Sequence, residues 1–291
     1  MIHKADLQNK RIPNSLKWFF NQKKYPQVLW QQIQNAIEHE KIILLIGETG
    51  CGKELLARQI YLYKKALQGL VSEEAPFVSI NAANVPESLA ESILFGHERG
   101  AFTSARQKQV GKFEQALKGS LFLDEIQCLN KDVQAKLLRV LEDWHFERLG
   151  GRTKIPVACN IICASNLPLE LLVEKNTFRR DLYYRINLCP ILLEPLRERI
   201  DELDFFVQHY IKKITPATLA EQKLNSDIFE KFKEYPWPGN LRELEHTLRF
   251  ALIRTKYQAN KISLKELPPA LNGNLKSYLQ KGDWQNAKSF N

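Results

Sequence analysis

Directly after the apolar run Ile42–Ile46 comes Gly47-Glu48-Thr49-Gly50-Cys51-Gly52-Lys53-Glu54. A glycine-rich turn that ends in lysine can wrap its backbone N–H groups around a phosphate and set an ammonium against it. The chemistry needs a strand before the turn and a helix after it. The apolar run reads as the strand, and Glu54 to Lys64, with Leu55, Leu56, Ile60 and Leu62, reads as the helix. Together they point to nucleotide binding. One position departs from the pattern: a Ser or Thr is expected after the lysine, with its hydroxyl on Mg²⁺, and Glu54 stands there.

Hydrolysis of a bound nucleotide further needs a carboxylate for the metal shell and an acid to polarise water. Leu121-Phe122-Leu123-Asp124-Glu125 supplies both at the end of an apolar run, about 70 residues after the glycine-rich turn. Asp124 is the metal candidate, and Glu125 the acid that polarises the attacking water. Charge that develops on a γ-phosphate calls for guanidinium groups. Phe178-Arg179-Arg180-Asp181-Leu182-Tyr183-Tyr184-Arg185 carries three, and Arg179 and Arg185 are spaced to edge one site or to serve as surface ion-pair partners.

The elements that must position these residues follow from the apolar pattern. Short apolar strands are expected at 42–46, 76–80, 120–124, 160–164 and 188–192, with helical patterns between them. That alternation predicts a parallel five-stranded sheet flanked by helices, an α/β fold. An amphipathic helix is expected over 27–40, where Val28, Leu29, Ile33, Ala36 and Ile37 recur at helical spacing. After Pro195 the strands stop, and 197–213, 227–235 and 240–256 read as helices of a small all-helical lid domain. The expected division is a polar leader (1–24), a nucleotide-binding domain (25–195), a helical lid (196–271) and a short tail (272–291).

Bulk properties fit this picture. Of the 291 residues 44% are hydrophobic, ample for a core, and the net charge of +9 is spread along the chain rather than gathered into a basic run. Such a charge suits a polyanion or a solvated basic surface equally. The five cysteines form no CxxC pair, so buried free thiols in a reducing cytoplasm are expected and a cysteine metal site is not. No run approaches the ~20 apolar residues that span a bilayer. The amino terminus, Met1-Ile2-His3-Lys4-Ala5-Asp6, lacks a signal-peptide core.

Six segments in order make the chain resemble one family: GETGCGKE at 47–54, ILFGHERGAFTSA at 93–105, GSLFLDEI at 119–126, FRRDLYYRI at 178–186, PLRER at 195–199 and WPGNLREL at 237–244. It is similar to the AAA+ P-loop ATPase domain of bacterial enhancer-binding proteins, the activators of sigma-54 RNA polymerase. The resemblance runs from about Leu44 to Leu271. It implies an ATP-hydrolysing, Mg²⁺-dependent ring motor, a hexamer in this family, that remodels the sigma-54 polymerase closed complex and activates transcription in the cytoplasm. An acidic residue after the loop lysine is usual in this family, so Glu54 fits, and it and Asp124 are expected to hold Mg²⁺ through water. The resemblance further implies roles for individual residues. Gly47, Glu48, Thr49, Gly50, Cys51, Gly52 and Lys53 would cradle the phosphates. Asn81 would hold Glu125 and couple nucleotide state to loop movement. Asn166, beside Ser165, would be the sensor, and Arg242 would sense the γ-phosphate from the lid. Arg179 and Arg185 would reach into the neighbouring subunit's site.

Gly100, Ala101, Phe102, Thr103, Ser104 and Ala105 resemble the family's GAFTGA loop, which contacts sigma-54. Ser104 replaces its second glycine, and serine is less free in φ. The same scaffold serving another partner, or repressing, is therefore the alternative expectation. About 40 residues precede the first strand and about 20 follow Leu271. Neither a regulatory domain nor a DNA-binding helix-turn-helix is expected within such lengths.

Overall fold

A computed structural model describes residues 34–68, 75–103, 105–188, 190–216, 223–269 and 271. The expected leader, the expected tail and the first part of the 27–40 helix lie outside the described residues; 34–39 are helical. By contacts the chain divides into two compact units, with a boundary at Leu193/Glu194, and Thr49–Cys51 group with the second unit.

The first unit is built on one parallel sheet. Its strands are β1 (Ile42–Ile46), β2 (Phe77–Asn81), β3 (Ser120–Asp124), β4 (Asn160–Ser165) and β5 (Pro190–Leu192), in the order β2-β3-β4-β1-β5. Parallel neighbours need crossover connections, and here helices supply them. The longest are α1 (Lys53–Leu67) after β1 and α2 (Lys131–Asp143) after β3; α3 (Arg180–Ile186) precedes β5. The central strands are buried on both faces, which is why they read as unbroken apolar runs and not as alternating ones. Leu44, Leu121, Leu123, Ile161 and Cys163 meet in the core beneath the helices. β5 starts at Pro190, later than the expected 188. Among the described residues it is an edge strand paired with β1, and proline, which has no N–H to donate, is tolerated at its first residue.

Register brings the strand ends together. Asn81 is opposite Asp124, Leu123 opposite Cys163, and Ile46 opposite Ser165. The carboxyl ends of four strands thus share one edge of the sheet, where ligands of open α/β sheets bind. Two small antiparallel ladders stand apart from the sheet: Gly96–His97 with Gln109–Val110, and His145–Phe146 with Ile155–Pro156. Two residues are too few to show a period, so these pairs left no trace in the sequence.

The second unit is all-helical in its described residues beyond Glu194: α4 (Leu203–Ile214), α5 (Ser226–Glu234), α6 (Asn240–Arg254) and short 3₁₀ turns. The helix expected to begin at 197 begins at Leu203. Two 3₁₀ turns, Leu196–Glu198 and Ile200–Glu202, precede it, and Arg199 between them leaves helical geometry at φ −121°. Arg199 is buried over the Phe206 ring and paired with Glu202 at 2.6 Å, which fixes that break. Lys256 and Tyr257, both at positive φ, follow the end of α6. The segment Trp237-Pro238-Gly239-Asn240 has a structural explanation too. Trp237 is fully buried and donates Nε1–H to Phe232 O at 2.8 Å. Asn240, at the start of α6, accepts Leu196 N–H at Oδ1 (2.8 Å) and donates from Nδ2 to Thr49 O (3.0 Å).

Candidate active site

Strand β1 ends at Ile46, and the N–H of Gly47 after it donates to Ser165 O at the end of β4. The turn that follows needs left-handed backbone at Gly50 (φ +81°) and Gly52 (φ +103°), conformations open to glycine at little cost. A side chain at Gly50 would meet Gly239 O at 2.3 Å. Lys53 opens α1 nearly buried, and its ammonium donates to Gly47 O at 2.7 Å and Glu48 O at 3.1 Å. In this geometry the lysine is folded over its own loop. Glu54 lies in the first turn of α1, exposed and paired with Arg58 at 3.1 Å. Cys51 is buried.

At the end of β3, Asp124 accepts Glu125 N–H at Oδ1 (3.0 Å) and Asn81 Nδ2–H at Oδ2 (3.3 Å). Burial lifts the Asp124 carboxyl above the usual carboxylate range; the charges of Glu125 and Glu54 add to this, and Lys53 opposes it. Glu125 turns into left-handed backbone at φ +53°, the start of a 3₁₀ turn over Ile126–Cys128. Its carboxylate accepts a hydrogen bond from Gln127 Nε2, which also donates to Asn166 Oδ1 at 2.7 Å. Asn166 stands one residue past β4.

The structure therefore brings Lys53, Asn81, Asp124, Glu125 and Asn166 to one edge. Asn81, expected on Glu125, bonds Asp124 instead. Its Oδ1 caps the next turn by accepting Ala83 N–H at 2.9 Å, which holds the amide beside Asp124. The two arginines do not share a site. Arg179 precedes α3 and forms a bidentate pair with Asp181 (2.7 and 3.0 Å). Arg185 turns inward and donates from Nε and Nη2 to Leu141 O, near the end of α2, at 3.1 and 2.6 Å. Arg179 stands before the helix in extended backbone, and even at ~100° per helical residue six positions leave two side chains about 120° apart round the axis. Arg242 lies in the first turn of α6, and its backbone N–H donates to Gly50 O at 3.3 Å within the second unit.

The loop from Gly100 to Ala105 is closed at its root by Gly100 N–H to Ala105 O at 2.8 Å. His97 packs edge-on to Phe102 with ring centres 4.8 Å apart, and Ser92 Oγ fixes the other side of the imidazole at Nδ1, 2.8 Å away. Arg148 ties this root down through Glu98 (2.7 Å) and Glu114 (2.6 Å). Ser104 lies outside the described residues.

With this geometry in view, comparison with known proteins decides the family. The family model described as "Sigma-54 interaction domain" matches residues 19–192, and the "AAA+ ATPase lid domain" model matches 197–283. The chain belongs to the sigma-54-dependent activator family of AAA+ ATPases. It is 40% identical over 223 residues to the DNA-binding transcriptional regulator NtrC of Bradyrhizobium sp. (strain RP501 Parasponia), covering 77% of this chain and 45% of that protein. It is 39% identical over 244 residues to the nitrogen fixation protein VnfA of Azotobacter vinelandii, covering 84% and 45%. The chain thus spans less than half the length of these curated relatives. Among solved structures it resembles NtrX from Brucella abortus in complex with ATP (TM-score 0.73, 28% identity, 94% of this chain and 55% of that one). The ADP complex of the same protein gives a TM-score of 0.68 at 31% identity, over 82% and 53%.

Within this AAA+ frame two amides escaped the sequence reading. Gln127 bridges Glu125 to Asn166. Gln134, fully buried on α2, accepts Arg179 N–H at 2.8 Å and donates to Leu129 O (2.7 Å) and Thr177 O (3.2 Å), which anchors the segment that carries Arg179. Glutamine on a helix reads as surface, and nothing in its type marks it as a brace. The signal available was position: Gln127 is two residues past Glu125 in a tight turn, and Gln134 interrupts the apolar face of α2. No described helix is long and apolar enough to cross a membrane.

Proposed function

We propose that this chain is the ATP-hydrolysing motor of a sigma-54-dependent activator, a cytoplasmic ring that remodels the sigma-54 polymerase closed complex. The observation that carries the reading is the convergence of Lys53, Asp124, Glu125 and Asn166 at the carboxyl edge of one parallel sheet. In this reading the loop N–H groups of 47–53 hold the phosphates, and Lys53 exchanges its two carbonyl partners for β- and γ-phosphate oxygens. Glu125 orients and polarises the attacking water, while Asn166 contacts the γ-phosphate. Residues 25–195 form the nucleotide-binding domain, and 196–271 form the lid from which Arg242 senses the nucleotide.

The donor set fits Mg²⁺. Asp124, with Glu54 and Glu125 close enough to raise its proton affinity, offers hard carboxylate oxygens. No cluster of three metal-ligating side chains occurs among the described residues. Asp124 and Glu54 would hold the ion through water, and its charge would neutralise the phosphate oxygens. Arg179 acts in trans, which makes a ring, a hexamer in this family, the working unit. Arg185 must leave Leu141 O to join it. Phe102 and Thr103, on the loop rooted at Gly100 and Ala105, meet sigma-54.

Glu125→Gln tests the site: the variant is expected to bind ATP and leave it intact, and turnover equal to wild type would refute the role of Glu125. A second measurement tests the partner. Wild-type protein with ADP–aluminium fluoride is expected to capture sigma-54, and Phe102→Ala to lose it. A wild-type ring that hydrolyses ATP without capturing sigma-54 would assign the motor to another partner.

A further inference from the structure

We propose that Gln127 is the positioning residue for Glu125 and couples it to Asn166. The inference rests on the ATPase reading of this site. Each member of the acidic pair has an amide of its own: Asn81 donates to Asp124, and Gln127 donates to Glu125. Glu125 leaves β3 in left-handed backbone, so neither strand nor helix geometry aims its side chain. Its hydrogen-bonded partner among the described residues is Gln127 Nε2, and the same nitrogen reaches Asn166 at 2.7 Å.

Two acceptors on one side dictate the orientation of the Gln127 amide, because only its NH₂ can face them. Its Oε1 is left buried without a hydrogen-bond partner. Packing alone does not favour that arrangement, since a leucine would fill the space with no oxygen to satisfy. What the glutamine contributes is the donor. β3 and β4 are neighbours in the sheet, so one amide joins the ends of adjacent strands. A movement of Asn166 on meeting a γ-phosphate is passed to Glu125 through two hydrogen bonds that share a nitrogen. The acid is thereby steadied when Asn166 is engaged and left less constrained when it is not.

Steady-state turnover and fluorescent-ADP binding, measured on the full chain at ring-forming concentration, test this. Gln127→Leu is expected to lower kcat about 10- to 100-fold, the scale of a mispositioned reacting group. Nucleotide Kd is expected to stay within about twofold, because Gln127 touches the acid and not the phosphate loop. Gln127→Glu keeps the shape, removes the donor and sets a second charge against Glu125; it carries the same test should the leucine variant fail to fold. Asn166→Ala combined with Gln127→Leu is expected to lose no more than the worse single variant, since both cut one chain of bonds. Undiminished kcat, an equal loss of nucleotide affinity, or losses that multiply in the double variant would each overturn the proposal. An active wild type, an inert Glu125→Gln and a fully active Gln127→Leu would overturn it alone. A wild type with no turnover would overturn the ATPase reading, and this inference with it.

Discussion

Replacement of Gln134 by leucine should unfasten Arg179 without touching the nucleotide. The side chain is fully buried and makes three hydrogen bonds, two of them at 2.7 and 2.8 Å. A buried backbone group left unpaired costs about 1–3 kcal/mol, so losing the two short bonds costs about 2–6 kcal/mol. Leucine returns about 1–2 kcal/mol of apolar burial in the same space. The net loss spans about 0–5 kcal/mol with a mid-range of about 2–3 kcal/mol, a sizeable part of the 5–15 kcal/mol that holds a typical domain together. With a urea slope of about 1–3 kcal/mol/M, the unfolding midpoint should fall by roughly 1 M. Far-UV circular dichroism across a urea series reads this directly. A midpoint within about 0.2 M of wild type would show that the three bonds contribute little and that the bookkeeping fails. In parallel, turnover in concentrated rings should drop while nucleotide affinity per subunit holds, because the loosened segment carries Arg179 and not the phosphate loop.

Asp124→Asn should stabilise the nucleotide-free fold and abolish turnover together, since it removes a carboxylate whose ionised form burial and Glu125 disfavour; a melting temperature lower than wild type would contradict this. Burial lowers the Lys64 ammonium to about 8, whereas the unfolded chain holds that proton to about 10.4. The unfolded chain is then the more protonated form between those values, so stability should rise with pH across that window in wild type relative to Lys64→Met. Parallel pH curves for the two proteins would remove Lys64 from the account. Mixing Arg179→Ala subunits into wild-type rings should depress turnover more than dilution by inactive protein does, and a strictly proportional fall would count against catalysis in trans.

The sequence was most legible where a residue's type and its burial agree. β1 and β3 run over the expected residues because short apolar runs, five residues in β1 and three in β3, suit strands covered on both faces. Asp124 and Glu125 stand at the end of β3 as expected; many strands end in acids, and it was the glycine-rich turn about 70 residues earlier that singled this pair out. Side-chain direction was much less legible. The resemblance made Arg185 a trans arginine, and here the helix turns its guanidinium to Leu141 O. Asn81 was placed in the right corner with the wrong partner, since one strand end serves Asp124 and Glu125 alike and only the register separates them. Gln127 and Gln134 stayed hidden because an amide has no chemistry of its own to advertise, and its value depends on which groups face it. In the second unit the early start expected for the 197–213 helix failed at Arg199, a charged residue with good helix propensity that tertiary packing buries instead.

The crowding around Asp124 has a consequence for the life of the protein outside the assay. The half-buried Asp124 carboxylate feels the charges of Glu125 and Glu54, which Lys53 opposes in part, and a bound cation would relieve it further. Ligands that bind only the folded form add stability in proportion to occupancy, about 2.7 kcal/mol at a hundredfold excess over Kd. On the proposed function, subunits without bound nucleotide would open more often and meet proteases sooner. On that reading the acidic corner would make the persistence of the subunit depend on its nucleotide supply.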